Sequence, residues 1–368
     1  MPVMTAGDLA ALASEAEAQG LLRLGAVSLD DPGFEPARVA LGDYLDRGLE
    51  GEMGFMQRTR ALRMDPRPML AGARSALVAV VPYRGQAGPL ARYTQSLDYH
   101  SGIHRRLVGL SAAVEARLPG VETLSCVDTK PVLERSFAVL AGLGSLGKNG
   151  CLIVPGLGSY VFIAVLMTTA RWVGGETAAD GDQRAAEGGR GGPWSVCGSC
   201  RQCLDDCPTD AFEAPGRLDP RRCIAYLTIE HRGPIPEPLA ARLGVRVAGC
   251  DRCQEVCPHN QSAQREGRVP LAAWLPPPPG RAREPDLPKL ATIGSNQYRQ
   301  FVKHTALNRI PRRALRRNAL LAIGNAAGPL DEDEQAALER CSKDAEPELA
   351  ALARWAWQRR GLTLDELN

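Results

Sequence analysis

Apolar positions change period along the first part of the chain. Between Ala6 and Gly20 they recur at helical spacing, whereas Ser75 to Val81 is a short unbroken apolar run suited to a buried strand. His104 to Leu118 returns to the helical period, and Val121 to Val127 reads as another strand. In the Asp128-Thr-Lys-Pro131 segment that follows, Asp128 or Thr129 can cap and Pro131 sits near a first helical position. A helix is therefore predicted to run to about Ala141 and to stop at Gly142. Cys151 to Val154 and Tyr160 to Met167 are strand candidates separated by Pro-Gly-Leu-Gly-Ser, which reads as a hairpin loop. This alternation predicts an α/β domain over residues 1–172.

From Arg171 to Gly192 the sequence collapses to Gly, Ala and charge, with almost nothing to bury, so 173–192 is expected to be a linker or loop. A cysteine-rich segment occupies 193–265. Pro276 to Pro279 favour extended geometry within a connection over 266–294. Beyond Ser295 the period is helical again, over Arg313 to Asn325, Glu332 to Cys341 and Pro347 to Arg360, which predicts a repeat-like, HEAT-like helical domain over 295–368. The expected fold class is thus a multidomain α/β and α+β protein.

Of 368 residues, 44% are apolar and 23% charged, which excludes a disordered chain, and 44 Lys and Arg against 42 Asp and Glu leave a net charge of only +2. Any nucleic-acid surface must come from local clustering. No stretch reaches the roughly 18 apolar residues of a spanning helix, so no membrane association is expected. Asp8, Glu15 and Glu17 near the N-terminus do not suit a signal peptide, and a cytoplasmic location is expected.

Eight of the 11 cysteines fall between Cys197 and Cys257, which in a chain without an export signal points to metal or redox chemistry. Cys197-x2-Cys200-x2-Cys203-x3-Cys207-Pro208 is the bacterial ferredoxin run, in which the fourth thiolate reaches a second cluster. Cys250-x2-Cys253-x3-Cys257-Pro258 supplies three more, and Cys223 completes the count. Crossed ferredoxin logic assigns Cys197, Cys200, Cys203 and Cys257 to one [4Fe–4S] cluster and Cys207, Cys223, Cys250 and Cys253 to the other. Two structural zinc sites are the alternative, although zinc needs no third thiolate at the next three-residue step. Cys126, Cys151 and Cys341 stand apart and read as core thiols.

Gly142-Leu-Gly-Ser-Leu-Gly147 matches a dinucleotide fingerprint, and Gly142 to Asn149 nearly matches a phosphate loop. Both need a preceding strand and a following helix, and this stretch has the reverse order, so a glycine-rich turn is expected. His100 and His104 lack the Glu of a zinc helix and read as surface or packing residues. Asp128 is either an N-cap or a catalytic acid.

The chain resembles the epoxyqueuosine reductase family. The resemblance rests on Val127-Asp-Thr-Lys-Pro-Val-Leu-Glu-Arg135, Ala141-Gly-Leu-Gly-Ser-Leu-Gly-Lys-Asn149 and Gly158-Ser-Tyr-Val-Phe162, ahead of the ferredoxin module. Gly51-Glu-Met-Gly-Phe55, Leu62-Arg-Met-Asp-Pro66, Asp98-Tyr-His100, Cys223 to Thr228 and Arg316 to Asn325 extend it over most of the chain. Two departures are Lys130, where glycine is expected, and the insertion-like Arg171 to Gly192.

The resemblance implies a cobalamin-dependent iron–sulfur reductase that removes the epoxide oxygen of epoxyqueuosine in tRNA, the last step to queuosine. It implies Asp128 as proton donor, with a pKa raised by enclosure. Arg63, Asp128, Lys148, Asn149, Leu152, Ile163 and Asp251 are implied as the corrinoid surface. The implied partners are a modified tRNA and a low-potential electron donor, around a monomeric enzyme. Independently, Lys303, Arg309, Arg312, Arg313, Arg316 and Arg317 form a basic run without an acid, a footprint suited to phosphates; a solvated helix face is the bland alternative. The competing functions are a corrinoid reductive dehalogenase and a two-cluster electron carrier without a substrate of its own.

Overall fold

The computed structural model describes residues 2–174, 194–265, 274–279 and 285–363. Its centre is a four-stranded sheet in the order β2 (Leu22–Ser28), β3 (Ser75–Pro82), β7 (Val161–Thr168), β4 (Thr123–Cys126). Every neighbouring pair in it is antiparallel, so the pairing is that of an α+β domain rather than of alternating parallel units. Side chains alternate between two cores as the pleat requires. Leu77, Ala79, Val81, Ala164 and Leu166 face one core, with helices Ala6–Ala18 and Tyr99–Arg117; Ala76, Val78, Val80, Val165 and Met167 face the other, with helix Glu134–Leu140. Cover on both faces explains why Ser75 to Val81 is apolar without interruption.

Three expectations are corrected. The helix after Asp128 begins only at Glu134, because two consecutive tight turns, closed by the Thr129 amide on the Val127 carbonyl and the Val132 amide on the Lys130 carbonyl, take up the chain before it, and Leu133 rather than Asp128 occupies the cap position. The hairpin forms one step earlier than predicted, β5 (Ser145–Leu146) pairing with β6 (Leu152–Ile153) inside the glycine-rich turn, while only a bridge joins Val154 to Gly158. Arg171 and Trp172 form β8, parallel to β1 (Val3–Met4), and the rest of the predicted linker, 175–192, lies outside the described residues.

The three C-terminal helices are Arg312–Asn325, Glu332–Ser342 and Pro347–Arg359, and helix Leu287–Ala291 joins them from within the segment expected to be a connection. Their core also takes in Leu90, Ile229, Val247 and Ala248 from the preceding parts of the chain. The proline-rich segment returns to the first domain: Pro276 accepts the Leu97 amide at 2.9 Å, and His304 beyond it accepts the Asp98 amide at 2.7 Å. None of the described helices is long and apolar enough to cross a membrane.

Candidate active site

Strand β4 delivers Asp128. Its register against β7 ends with Cys126 paired to Val165, two residues before Asp128. The chain turns sharply here. The Thr129 amide bonds back to the Val127 carbonyl, and Asp128 sits at φ 50°, one of only four described non-glycine residues in the left-handed region. Lys130 is not among them, so a side chain in place of the expected glycine introduces no strain of this kind.

Helix Tyr99–Arg117 brings the partners. Asp98 caps it, accepting the His100 amide at 3.0 Å and sitting 2.7 Å from His100 Nδ1. That fixes the ring so that His100 Nε2 lies 3.5 Å from Asp128 Oδ2, while Tyr99 Oη donates to the same oxygen at 2.6 Å. Tyr99 is packed between His100 and Phe162, each ring centroid 4.0 Å away. From the other side Glu134 Oε1 accepts the Asp128 amide at 2.5 Å. The Asp128 side chain itself remains 59% accessible, facing an open cleft.

The protons do not sit where the sequence suggested. Hydrogen bonding from His100 outweighs the opposing effect of burial, and with Tyr99 it holds the Asp128 carboxyl below the usual carboxylate range. His100 shows the reciprocal effect: burial alone would lower its pKa, but Asp128 and Asp98 carry it up to about 9. Burial and the nearby Asp128 charge push Glu134 up to about 8. At neutral pH the group thus contains an imidazolium, an ionised Asp128 and a neutral Glu134. The expected upward shift of Asp128 is not found, because its hydrogen-bond donors win over desolvation.

Basic side chains rim the cleft. Arg63, half-buried and bonded to Thr59 Oγ1 at 3.1 Å, acts electrostatically on both Asp128 and Glu134. Arg309, ion-paired with Glu230, acts on Asp128 as well. Phe55 lies between the two, its centroid 6.0 Å from the Arg63 guanidinium and 5.2 Å from that of Arg309. Lys303 is exposed.

Arg316 and Arg317 must be removed from the expected phosphate footprint. They are 7% and 1% exposed, since helix Arg312–Asn325 is covered on every side from Ala314 to Gly324. Arg316 donates to the Ala291 carbonyl at 2.8 Å and pairs with Asp344. Arg317 donates to the carbonyls of Leu227, His231 and Gly233 and to Asn318 Oδ1 at 2.7–3.1 Å. Arg313 is paired with Glu346 and Glu348, and Arg312 donates to the Ile293 carbonyl.

The cysteines gather in two groups. Cys203 lies within electrostatic reach of Cys197, Cys200 and Cys257, and burial with those neighbours carries its thiol up to about 11. Cys223 acts on Cys250 and Cys253 and feels Cys207. Crowded buried thiols of this kind resist ionisation until a cation compensates them. Cys151, expected to be an isolated core thiol, instead bonds with Cys253, whereas Cys126 and Cys341 are core residues as predicted.

Lys148 and Asn149 tie the sheet to these groups. Lys148 Nζ donates to the carbonyls of Gly198 and Cys200 at 2.7 and 2.8 Å, and its amide points at Cys197 Sγ at 3.4 Å. Asn149 donates to the Cys253 carbonyl at 3.1 Å and accepts the Cys151 amide. Asp251, 4% exposed, accepts the Arg92 amide at 2.7 Å, and Leu152 is buried in β6 while Ile163 is partly open on β7.

Residues 196–260 match the family described as 4Fe-4S double cluster binding domain, and residues 63–129 match Epoxyqueuosine reductase QueG, DUF1730. The chain is 34% identical over 330 residues to an epoxyqueuosine reductase of Gloeobacter violaceus, covering 87% of this chain and 97% of that protein. It belongs to the epoxyqueuosine reductase family. Among solved structures, an epoxyqueuosine reductase with a tRNA-Tyr epoxyqueuosine-modified stem loop superposes with a TM-score of 0.77 at 26% identity, over 96% of this chain and 90% of that one. A Bacillus subtilis epoxyqueuosine reductase with its catalytic aspartate loop swung out of the active site gives 0.74 at 25% identity, over 96% and 90%. Within this member of the family, Tyr99, His100, Glu134 and Phe55 went unassigned at the sequence level. The motifs containing them were visible, but nothing in their spacing showed that they meet at Asp128.

Proposed function

We propose that this epoxyqueuosine reductase reduces epoxyqueuosine to queuosine at the wobble position of tRNA, with Asp128 delivering a proton to the departing oxygen. Removing an epoxide oxygen as water takes two electrons and two protons, so a proton source beside an electron path is the minimum equipment. The single observation that carries the reading is the exposed Asp128 carboxyl, placed by a left-handed turn with His100 Nε2 3.5 Å and Tyr99 Oη 2.6 Å from one of its oxygens. Asp128 is then the last carrier of a proton that rests on the His100–Asp128 pair, and Tyr99 orients the oxygen that carries it.

The residues present fit a cobalamin beside Asp128. Val161, Phe162 and Ile163 leave β7 partly open next to the turn, an apolar wall suited to a flat macrocycle, and Arg63 and Asn149 supply polar contacts at its edge. When bound there, cobalamin supplies reduced cobalt chemistry at the substrate carbon. Cys197, Cys200, Cys203 and Cys257 would hold one [4Fe–4S] cluster and Cys207, Cys223, Cys250 and Cys253 the other, groups that would supply one-electron transfer. Gly198 and Ser199 are exposed beside the first group, so an external low-potential donor would meet the protein there. Lys148 and Asn149 hold both thiol loops against the sheet. Lys303 and Arg309 remain as the cations that meet tRNA phosphates, with Arg312 beside them.

The test is anaerobic conversion of tRNA carrying epoxyqueuosine by reduced enzyme with and without added cobalamin. Conversion that requires cobalamin supports the reading. Conversion at full rate without it rejects the corrinoid.

A further inference from the structure

The Asp128 turn is strained, and its amide has one described partner outside the turn. Aspartate enters the left-handed region more readily than most residues because its side chain can bond its own backbone, but here that side chain is engaged by Tyr99 and His100 instead. The three-residue turn closed by the Thr129 amide is a rare conformation that persists only where its surroundings impose it. Glu134, at the start of the next helix, takes the Asp128 amide.

We propose that Glu134 is the positioning residue that latches the Asp128 turn into the cleft, through the hydrogen bond from the Asp128 amide to Glu134 Oε1. This rests on Asp128 being the acid. The charged and titratable groups that act on Glu134 come from several elements: Asp128 from the turn, Cys126 from β4, Tyr99 from the capped helix, Arg63 from helix Arg60–Met64, and Arg135 on its own helix. Burial and the Asp128 charge keep Glu134 neutral to about pH 8, so at neutral pH it accepts the amide without repelling the carboxylate beside it. Above that pH a second negative charge forms against Asp128, and Arg63 and Arg135 offset it only in part. The latch therefore weakens on the alkaline side.

Two variants of the full, cluster-loaded enzyme separate this role from a packing role. Glu134→Gln retains an acceptor oxygen that never ionises, whereas Glu134→Ala removes the acceptor. Hydrogen exchange of the segment containing Asp128 should accelerate roughly tenfold or more in Glu134→Ala and stay near wild type in Glu134→Gln. Single-turnover reduction by pre-reduced enzyme should fall roughly tenfold to a hundredfold in Glu134→Ala at unchanged tRNA affinity. Glu134→Gln should keep the neutral-pH rate and lose the part of the alkaline decline centred near pH 8, retaining only the later decline near pH 9 as His100 gives up its proton. Unchanged exchange in Glu134→Ala overturns the latch, and so does an alkaline decline in Glu134→Gln identical to wild type. Should Glu134→Ala not fold, the Glu134→Gln profile decides alone. The reading of Asp128 fails separately: Asp128→Asn would then turn over normally whatever the exchange experiment gives.

Discussion

Arg317 lies in the interior of this protein and Asp128 at its surface, and the two places treat charge in opposite ways. Arg317 is 1% exposed and directs its guanidinium at backbone carbonyls and an amide oxygen. Burial brings its pKa down to about 10, still far enough above neutrality for the charge to be permanent. Nothing there can move a proton. At Asp128 two carboxyls, an imidazole and a phenol share a few ångströms, their pKa values are driven apart, and the side chain opens to solvent. A buried charge matched by fixed acceptors is mortar between parts of a fold, while competing titratable groups make a proton available.

The largest effect is expected from Asp128→Asn, which keeps size and hydrogen bonding but cannot deliver a proton. With clusters and tRNA binding intact, its single-turnover rate should drop by roughly two to four orders of magnitude. A near-wild-type rate would remove the contrast altogether. Arg317→Met should do the converse, costing about 3–5 kcal/mol in denaturant unfolding by leaving carbonyls of Leu227, His231 and Gly233 unpaired, with activity per folded molecule preserved. A loss below about 1 kcal/mol would mean that water replaces it.

Between these extremes lie the partly paired cations. Arg309→Glu, at the rim of the cleft and paired with the single carboxylate of Glu230, should weaken tRNA binding roughly tenfold and flatten its salt dependence, whereas Arg313→Glu, held by both Glu346 and Glu348, should change the slope much less. Equal slopes would sink the distinction. The smallest effect concerns stability. His100 has its folded pKa raised to about 9, so its contribution is complete below its unfolded value near 6.5 and is lost as pH rises through 9. Relative to His100→Gln, wild type should lose about 1 kcal/mol across that window after allowance for screening. A pH-independent difference between the two would show that His100 is not charged in the folded state.

What was legible in the sequence divides along similar lines. The apolar run Ser75 to Val81 announced a strand because both of its faces are covered, and the cysteine spacing announced clusters because ligand geometry is local. The helix after Asp128 starts later than its capping residues suggest, since tight turns at Asp128 and Pro131, invisible in the sequence, delay it to Glu134. Arg316 and Arg317 looked like a phosphate face because surface exposure is the ordinary fate of arginine, and only tertiary packing shows carbonyls waiting for them. The meeting of Tyr99, His100 and Glu134 at Asp128 was hidden for the same reason.

The amide of Asp98, at the base of the helix that presents Tyr99 and His100, is bonded by the carbonyl of His304, more than two hundred residues further on. His304 is itself in a left-handed conformation, so its carbonyl is aimed by the fold rather than by chance. The C-terminal helices cannot then be regarded as a detachable adaptor for RNA. A shortened chain ending before Leu287 would keep every proposed cluster cysteine and Asp128, yet lack the strut under its proton-holding helix. Attempts to build a minimal reductase from the first two regions should therefore graft that carbonyl, or its equivalent, along with the active site.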